Sequence, residues 1–421
     1  MPSSFISKIS FCIYFLPLAL ISGPLISELI INFVWVNILY LIIKNKNYKY
    51  INNIYFKIFL IFWIYILVRS IFTTENSEEI IKKFAYIRLG LFSISIWFLI
   101  DNNKNFLNHF YKFLSFSVAI LLFDGYYQYF FSTNIIGFEI VDNRISSFFG
   151  DEKILGTYLS RIVILLISLI ILLETKYSKF EIFIYLFLTD ILIFLSGDRA
   201  PFFLFNLSSI GIILLCSNKI FRNLRIITFV ASIMAILIIS ILDSGIRERV
   251  ILKTLSELGL SKTDPTYTID TDRNFYLFSP QHENYYTVSY RMFKKNPIFG
   301  MGSDSFTVYC KKKEFLVDQH SCSTHPHNIY MQLISEFGLI GFIIIFALFI
   351  FINLIFLKHL YLKIFKKEIK FTDFQICLLI YLYICLWPLI PTGNFFNNWI
   401  SILYYLPVGF ILYSLNNKKI V

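Results

Sequence analysis

Apolar residues run in blocks separated by short polar connections, and the alternation covers nearly the whole chain. Each block is roughly 15 to 25 residues long, about what a helix needs to cross the hydrocarbon layer of a bilayer. In lipid a segment must satisfy its own backbone hydrogen bonds, so such blocks are read as helices. The pattern predicts spans near 9–26, 28–43, 54–72, 84–100, 107–131, 154–174, 181–197, 200–217, 225–242, 326–357, 373–391 and 398–415. The fold class is therefore an all-α polytopic membrane protein with about twelve transmembrane helices. The longest polar stretch, 243–324, divides it into spans 1–9 (residues 1–242), a large loop between spans 9 and 10, and spans 10–12 (325–421). The first block, with Lys8 before an apolar run, has the outline of a signal peptide. Further apolar blocks follow at once without a convincing small-residue cleavage site, so it is read as a first span.

Charge then orients the bundle. Only 15% of residues are charged, against 57% hydrophobic, so the net charge of +11 is not a nucleic-acid signature. Alternate connections hold most of the basic residues: Lys44, Lys46, Lys49 and Lys57, then Lys104 and Lys112, then Lys176 and Lys179. Lys219, Arg222 and Arg225 continue the series, followed by Lys358, Lys363, Lys366, Lys367 and Lys370, and by the tail with Lys418 and Lys419. The positive-inside rule puts these connections and both termini in the cytoplasm. The 243–324 loop is then external, and its own basic residues do not count against this, because loops beyond about 60 residues translocate regardless of charge.

In that topology the unusual polar stretches share the external side. They are Arg144 to Gly156, Ser196-Gly197-Asp198-Arg199, the 243–324 loop, the segment around His327, and Pro388 to Asn398. A site at the external membrane interface is expected there. His327 stands where an aqueous loop enters a span, with Pro326 suited to a first helical turn and Thr324 able to cap it. Counted from His327 on a helix, Ile334, Gly338 and Gly341 fall on one face, and the glycines let a neighbouring helix approach closely.

Each feature has a structural reading beside the chemical one. Arg199 in its short connection can simply snorkel to lipid headgroups or pair with adjacent Asp198. Arg291 can belong to an amphipathic helix lying on the membrane, with Asn296-Pro297 and Gly300-x-Gly302 as a turn after it. Chemically, arginine forks at Arg144, Arg199 and Arg291 match pyrophosphate oxygens, and the Gly300 and Gly302 turn offers backbone N–H groups to the same anion. His327 can cap a helix, or, neutral near pH 7, take a proton from a hydroxyl.

Metal sites are not expected. Asp270-Thr271-Asp272 resembles a metal-binding D-x-D, but it sits in an Asp- and Thr-rich polar loop where such spacing arises easily. His320, Cys322, His325 and His327 lack the usual paired spacing of zinc ligands, and His325 and His327 at a helix start should project apart. Cys310 and Cys322 are the only cysteines placed outside, and a disulfide between them is expected. Cys12, Cys216, Cys377 and Cys385 are apolar filler.

The run His327-Asn328-x-Tyr330-x-x-Leu333-x-x-Glu336-x-Gly338-x-x-Gly341 resembles the histidine motif of the O-antigen ligase and polymerase superfamily of bacterial membrane glycosyltransferases. Arg291 with Asn296-Pro297 and Gly300-x-Gly302 is similar to that family's large-loop segment. Ser196-Gly197-Asp198-Arg199-Ala200 and Gly150-Asp151-Glu152-Lys153-Ile154-Leu155-Gly156-Thr157-Tyr158 resemble two further stretches.

The resemblance implies a GT-C-like, metal-independent, inverting transferase of the inner membrane, without cofactor, whose active site faces the periplasm. The donor it implies is a glycan on polyprenyl pyrophosphate. His327 would be the base, and Arg199 and Arg291 would hold the pyrophosphate. In a ligase the acceptor is lipid A–core; in a polymerase it is another lipid-linked repeat. The large loop directly before the histidine motif favours a ligase, whereas the Arg291-to-Gly302 spacing resembles polymerases. A flippase or transporter is the reading from another class, but no repeated halves are visible and the charges gather at one face.

Overall fold

The computed structural model describes residues 3–74, 76–174, 178–257 and 278–417 of the protein. These residues are helical, and among them no β-strand forms. Nine helical segments are long and apolar enough to cross a membrane: Ser4–Ile21, Pro24–Lys44, Ile54–Thr73, Ser77–Asn102, Phe106–Phe131, Leu155–Leu173, Lys219–Leu242, Ile329–Ile364 and Asn398–Asn416. The other three expected spans correspond to the helices Ser178–Leu195, Arg199–Leu215 and Asp373–Cys385. The last two are shorter than the spanning length. The first carries Lys179, Glu181 and Asp190 within 18 residues.

One large apolar core holds the bundle together, running from Ile6 to Leu412 and centred on Leu155–Leu173, Asp373–Cys385 and Asn398–Asn416. A second, separate cluster lies in the 278–322 region, where Tyr285, Val288, Met292, Phe306 and Phe315 pack around the Cys310–Cys322 disulfide. The bridged Cα atoms are 5.3 Å apart.

The structure changes three local expectations. Arg225 is not in a loop: it is fully buried on Lys219–Leu242 and forks onto Asp190, with Nη1 to Oδ2 at 2.8 Å and Nη2 to Oδ1 at 3.0 Å. Ser232 also donates to Asp190, which leaves no unpaired charge facing lipid. Second, Asp373–Cys385 ends well before 391, because Pro388 and Pro391 cannot continue a helix and the chain runs on as an extended segment.

The third concerns the helix after His327. It starts only at Ile329, with Asn328 as its cap, since Asn328 Oδ1 accepts from the N–H groups of Tyr330 and Met331. Thr324 and Pro326 are loop residues. The same helix breaks at Gly338, whose φ of +63° and ψ of −162° suit only glycine. The break is filled by the turn Pro297–Gly302. Leu339 N–H donates to Pro297 O at 2.9 Å and Ile340 N–H to Ile298 O at 3.4 Å. In return Met301 N–H donates to Ser335 O at 2.8 Å and Gly302 N–H to Glu336 O at 2.9 Å. A Cβ on Gly300 would lie 2.4 Å from the Glu336 carbonyl carbon, and one on Gly338 would lie 2.4 Å from Ile298 O. Arg69 caps the joint, donating to Phe299 O and Gly300 O at 3.1 and 3.0 Å. The large loop is thereby locked into a membrane helix by backbone bonds.

Candidate functional site

His327 is placed by its neighbours on both sides. Thr392 N–H donates to His327 O at 2.8 Å, Ile329 N–H to Thr392 Oγ1 at 3.1 Å, and Asn328 Nδ2 to Pro388 O at 2.8 Å. The extended Pro388 to Asn398 segment is thus the seat of the histidine. His327 itself holds φ at +55°, a left-handed conformation that costs a residue with a Cβ about 1 kcal/mol or more. Such strain persists only where the surroundings enforce it, as these bonds do.

Around the His327 ring gather three other rings. His325 lies 4.1 Å away between centroids, Tyr285 stacks at 5.4 Å, and His282 meets it edge-on at 5.5 Å. The expectation that His325 and His327 project apart therefore fails, because this stretch is an irregular loop and not a helix start. Ser323 Oγ is 3.1 Å from His327 Nε2, and Thr324 Oγ1 is 3.0 Å from His325 Nδ1. Three of the six histidines in the chain converge here. Burial holds the titration of His327 below its usual range. Burial, with His327 alongside, takes His325 to about 3. Burial, then His327 and Arg199, takes His282 to about 4. All three are neutral at neutral pH and able to accept a proton.

Arg199 stands close enough to His282 for its charge to be felt there. Gly156 packs against the turn before it, where a Cβ would come within 2.9 Å of Ser196 Oγ. Its guanidinium is forked onto Glu257, with Nη1 to Oε2 at 2.5 Å and Nη2 to Oε1 at 3.2 Å. Arg144 pairs with Asp198 in the same turn. Arg249 donates to Gly197 O at 3.3 Å and to Asp142 O at 3.1 Å. Gly197, at φ +69°, makes room for both: a Cβ there would lie 2.8 Å from Arg249 Nε and 3.3 Å from Arg144 Cγ. Burial, with Arg249 nearby, lowers Arg144 to about 10. The Arg144 loop is itself anchored in the bundle. Buried Asp124 accepts from Ser147 Oγ at 2.5 Å and Ile135 N–H at 2.9 Å, and Gln128 Oε1 from the N–H groups of Ser146 and Ser147.

Arg144 and Arg199 thus share one cationic corner beside the histidines. Arg291 is engaged elsewhere, donating from Nη1 to Leu316 O at 2.6 Å and to Phe315 O at 3.3 Å, which ties Pro280–Lys295 to the disulfide-bearing loop. Its helix packs one face, with Tyr285, Val288 and Met292, into the second apolar cluster. Gly300 and Gly302 serve the helix break: the N–H groups of Gly300, Met301 and Gly302 all donate to protein carbonyls already. Cys322 is consumed by the disulfide, and Asp270 and Asp272 lie outside the described residues.

Sequence reading missed His282 and Arg249. Both belong to the large loop, far in the chain from the residues they meet. The scarcity of histidine was the one available signal for the first; nothing singled out the second among the loop's basic residues.

A neutral histidine cluster beside an arginine corner can take a proton from a hydroxyl and stabilise a departing anion. Comparison with curated proteins gives no match. Residues 182–346, the segment that carries Arg199, Arg249, His282, Arg291 and His327, match the family model described as O-antigen ligase, and over that segment the chain is similar to the O-antigen ligase superfamily.

Proposed function

We propose that the protein is an O-antigen ligase that moves a glycan from polyprenyl pyrophosphate to lipid A–core on the periplasmic face of the inner membrane. The family supports ligase- or polymerase-type transfer in general, with lipid-linked glycans as substrates and a membrane setting. The observation that carries the finer reading is the His327–His282 ring contact with Arg199 near enough for its charge to act on His282, Arg199 sharing its turn with the partners of Arg144 and Arg249.

In the step envisaged, an acceptor hydroxyl attacks the anomeric carbon and gives its proton to His327. The new bond joins sugar carbon to acceptor oxygen. The bond to pyrophosphate breaks, and polyprenyl pyrophosphate leaves with the electron pair. Inversion follows from a single displacement, and the chain needs no covalent nucleophile. The growing charge on the leaving group falls to the arginines, whose planar forks suit phosphate oxygens. The Glu257 carboxylate on Arg199 occupies the position that two such oxygens would take, so donor binding exchanges one anion for another. Arg291 acts in this reading as a positioning residue that holds the helix bearing His282.

Deletion in the native host, followed by lipopolysaccharide gels, tests this. Lipid-linked polymer that accumulates while the core stays bare supports ligase. A core with a single repeat instead means polymerase, the reading that the Arg291-to-Gly302 spacing suggested. A bare core with lipid-linked repeats trapped on the cytoplasmic leaflet means flippase, and an unchanged gel refutes the ligase reading.

A further inference from the structure

A cavity of about 400 Å³ opens beside the histidines, and the chemistry above does not use it. Its walls come from the helix Ser77–Ala85, the 304–307 turn, Thr324, the first two turns of Ile329–Ile364 and the 394–398 segment. We propose that this cavity is the acceptor subsite, holding one uncharged or amino sugar unit whose hydroxyl is delivered past Thr324 to His327. The inference rests on the transferase reading above and adds to it where the acceptor binds and what chemistry recognises it.

Two buried ionisable side chains facing the cavity, Lys83 and Glu336, lack a close hydrogen-bonded partner of opposite charge among the described residues. Lys83 is 4% exposed, yet its closest carboxylate, on Glu79, stands 3.6 Å away, beyond a normal hydrogen bond. Its ammonium also sits 4.0 Å from the Phe396 ring centroid. Glu336 is 1% exposed, and its one hydrogen bond within the described residues comes from Gln332 Nε2 at a long 3.3 Å. A buried charge left this loosely paired is costly unless something completes its shell. A sugar fits both groups, since each hydroxyl can accept from the ammonium and donate to the carboxylate. Asn394 adds an amide and Phe396 an aromatic wall for the ring's C–H face.

Charge argues against phosphate here. Glu79, Asp304 and Glu336 line the space against only Lys82 and Lys83, and Lys82 is already bonded to Glu78 and Glu79. The donor's pyrophosphate, and with it the donor sugar one bond away, belongs instead with the arginines. Position favours the acceptor as well: Thr324, in the cavity wall, contacts His325, whose ring neighbours His327.

The full chain in lipid nanodiscs provides the test, with free glucose, galactose and glucosamine as probes in saturation-transfer NMR. At least one probe should bind saturably, and Glu336→Gln and Lys83→Met should each weaken that binding at least tenfold. In transfer assays Glu336→Gln should raise the KM for acceptor tenfold or more while the KM for lipid-linked donor stays put. The substitution is isosteric, and an unchanged melting temperature with an intact Cys310–Cys322 bridge shows that the fold survived. Probe binding that ignores both substitutions overturns the proposal, as does a rise in donor KM alone. Glu336-dependent sugar binding in a chain that transfers nothing from polyprenyl pyrophosphate would instead refute the transferase reading and leave the cavity assignment standing.

Discussion

Replacing Gly338 by alanine strikes the joint between the large loop and the membrane helix. At φ +63° and ψ −162° alanine carries about 1–3 kcal/mol of backbone strain. Its Cβ would also lie 2.4 Å from Ile298 O and 2.5 Å from Gly300 N, both backbone atoms that cannot swing aside. The cheaper outcome is that the helix straightens and the turn leaves. Straightening lets Leu339 and Ile340 donate within the helix again, so the net loss is the two bonds from Met301 and Gly302 to Ser335 and Glu336. At about 1 kcal/mol each, undocking gives up about 2 kcal/mol, whereas it relieves about 1–3 kcal/mol of strain and the Cβ overlap on top, so the substitution shifts the balance away from the docked form. Hydrogen exchange in nanodiscs reads this directly. Amides of Met301 and Gly302 should lose about a hundredfold or more in protection, and transfer should fall with them. Gly211→Ala is the control, because that glycine is helical and its Cβ would meet only the flexible Ile380 side chain, at 3.2 Å. Undiminished protection at Met301 and Gly302 in Gly338→Ala would refute the interlock as the element that positions the loop.

Further outcomes follow from the site. His327→Ala should cost roughly 10²–10⁴-fold in transfer with donor binding retained, and His325→Ala, its ring only 4.1 Å away, should also slow the reaction, though less. Because His327, His325 and His282 all titrate below the usual histidine range, the acid limb of kcat/KM should fall below about pH 6.5. The sign for stability is the same: the unfolded chain takes up these protons first, so melting temperature should drop as pH falls through that window. Glu257→Gln removes the internal competitor for Arg199, a partly buried pair worth about 0.5–1 kcal/mol, so donor affinity measured by titration should tighten about two- to fivefold. Cys310→Ser with Cys322→Ser should lower local stability by about 2–3 kcal/mol with partial activity kept, as thermal melts and transfer assays would show.

The membrane character was legible because lipid imposes one rule on every span, and apolar blocks obey it residue by residue. His327 and Arg199 were legible because polar groups at the edge of such blocks need a reason. What escaped was geometry set by distant partners. A helix start at Pro326 was plausible locally, but the Pro388 to Asn398 segment bonds to residues 327–329 and moves the cap to Asn328. Gly300 and Gly302 look like an anion-binding turn in isolation; only the break at Gly338 shows where their N–H groups go. Arg225 reads as a loop cation because nothing near it in sequence reveals Asp190, thirty-five residues away, as its partner.

That pairing bears on how the chain is made. Asp190 enters the bilayer on Ser178–Leu195 well before Arg225 emerges from the ribosome on Lys219–Leu242. Alone at mid-helix, either charge resists insertion by about 2.5–3.5 kcal/mol. The earlier helix therefore lacks the partners of Asp190 until the later one brings Arg225 and Ser232 to it.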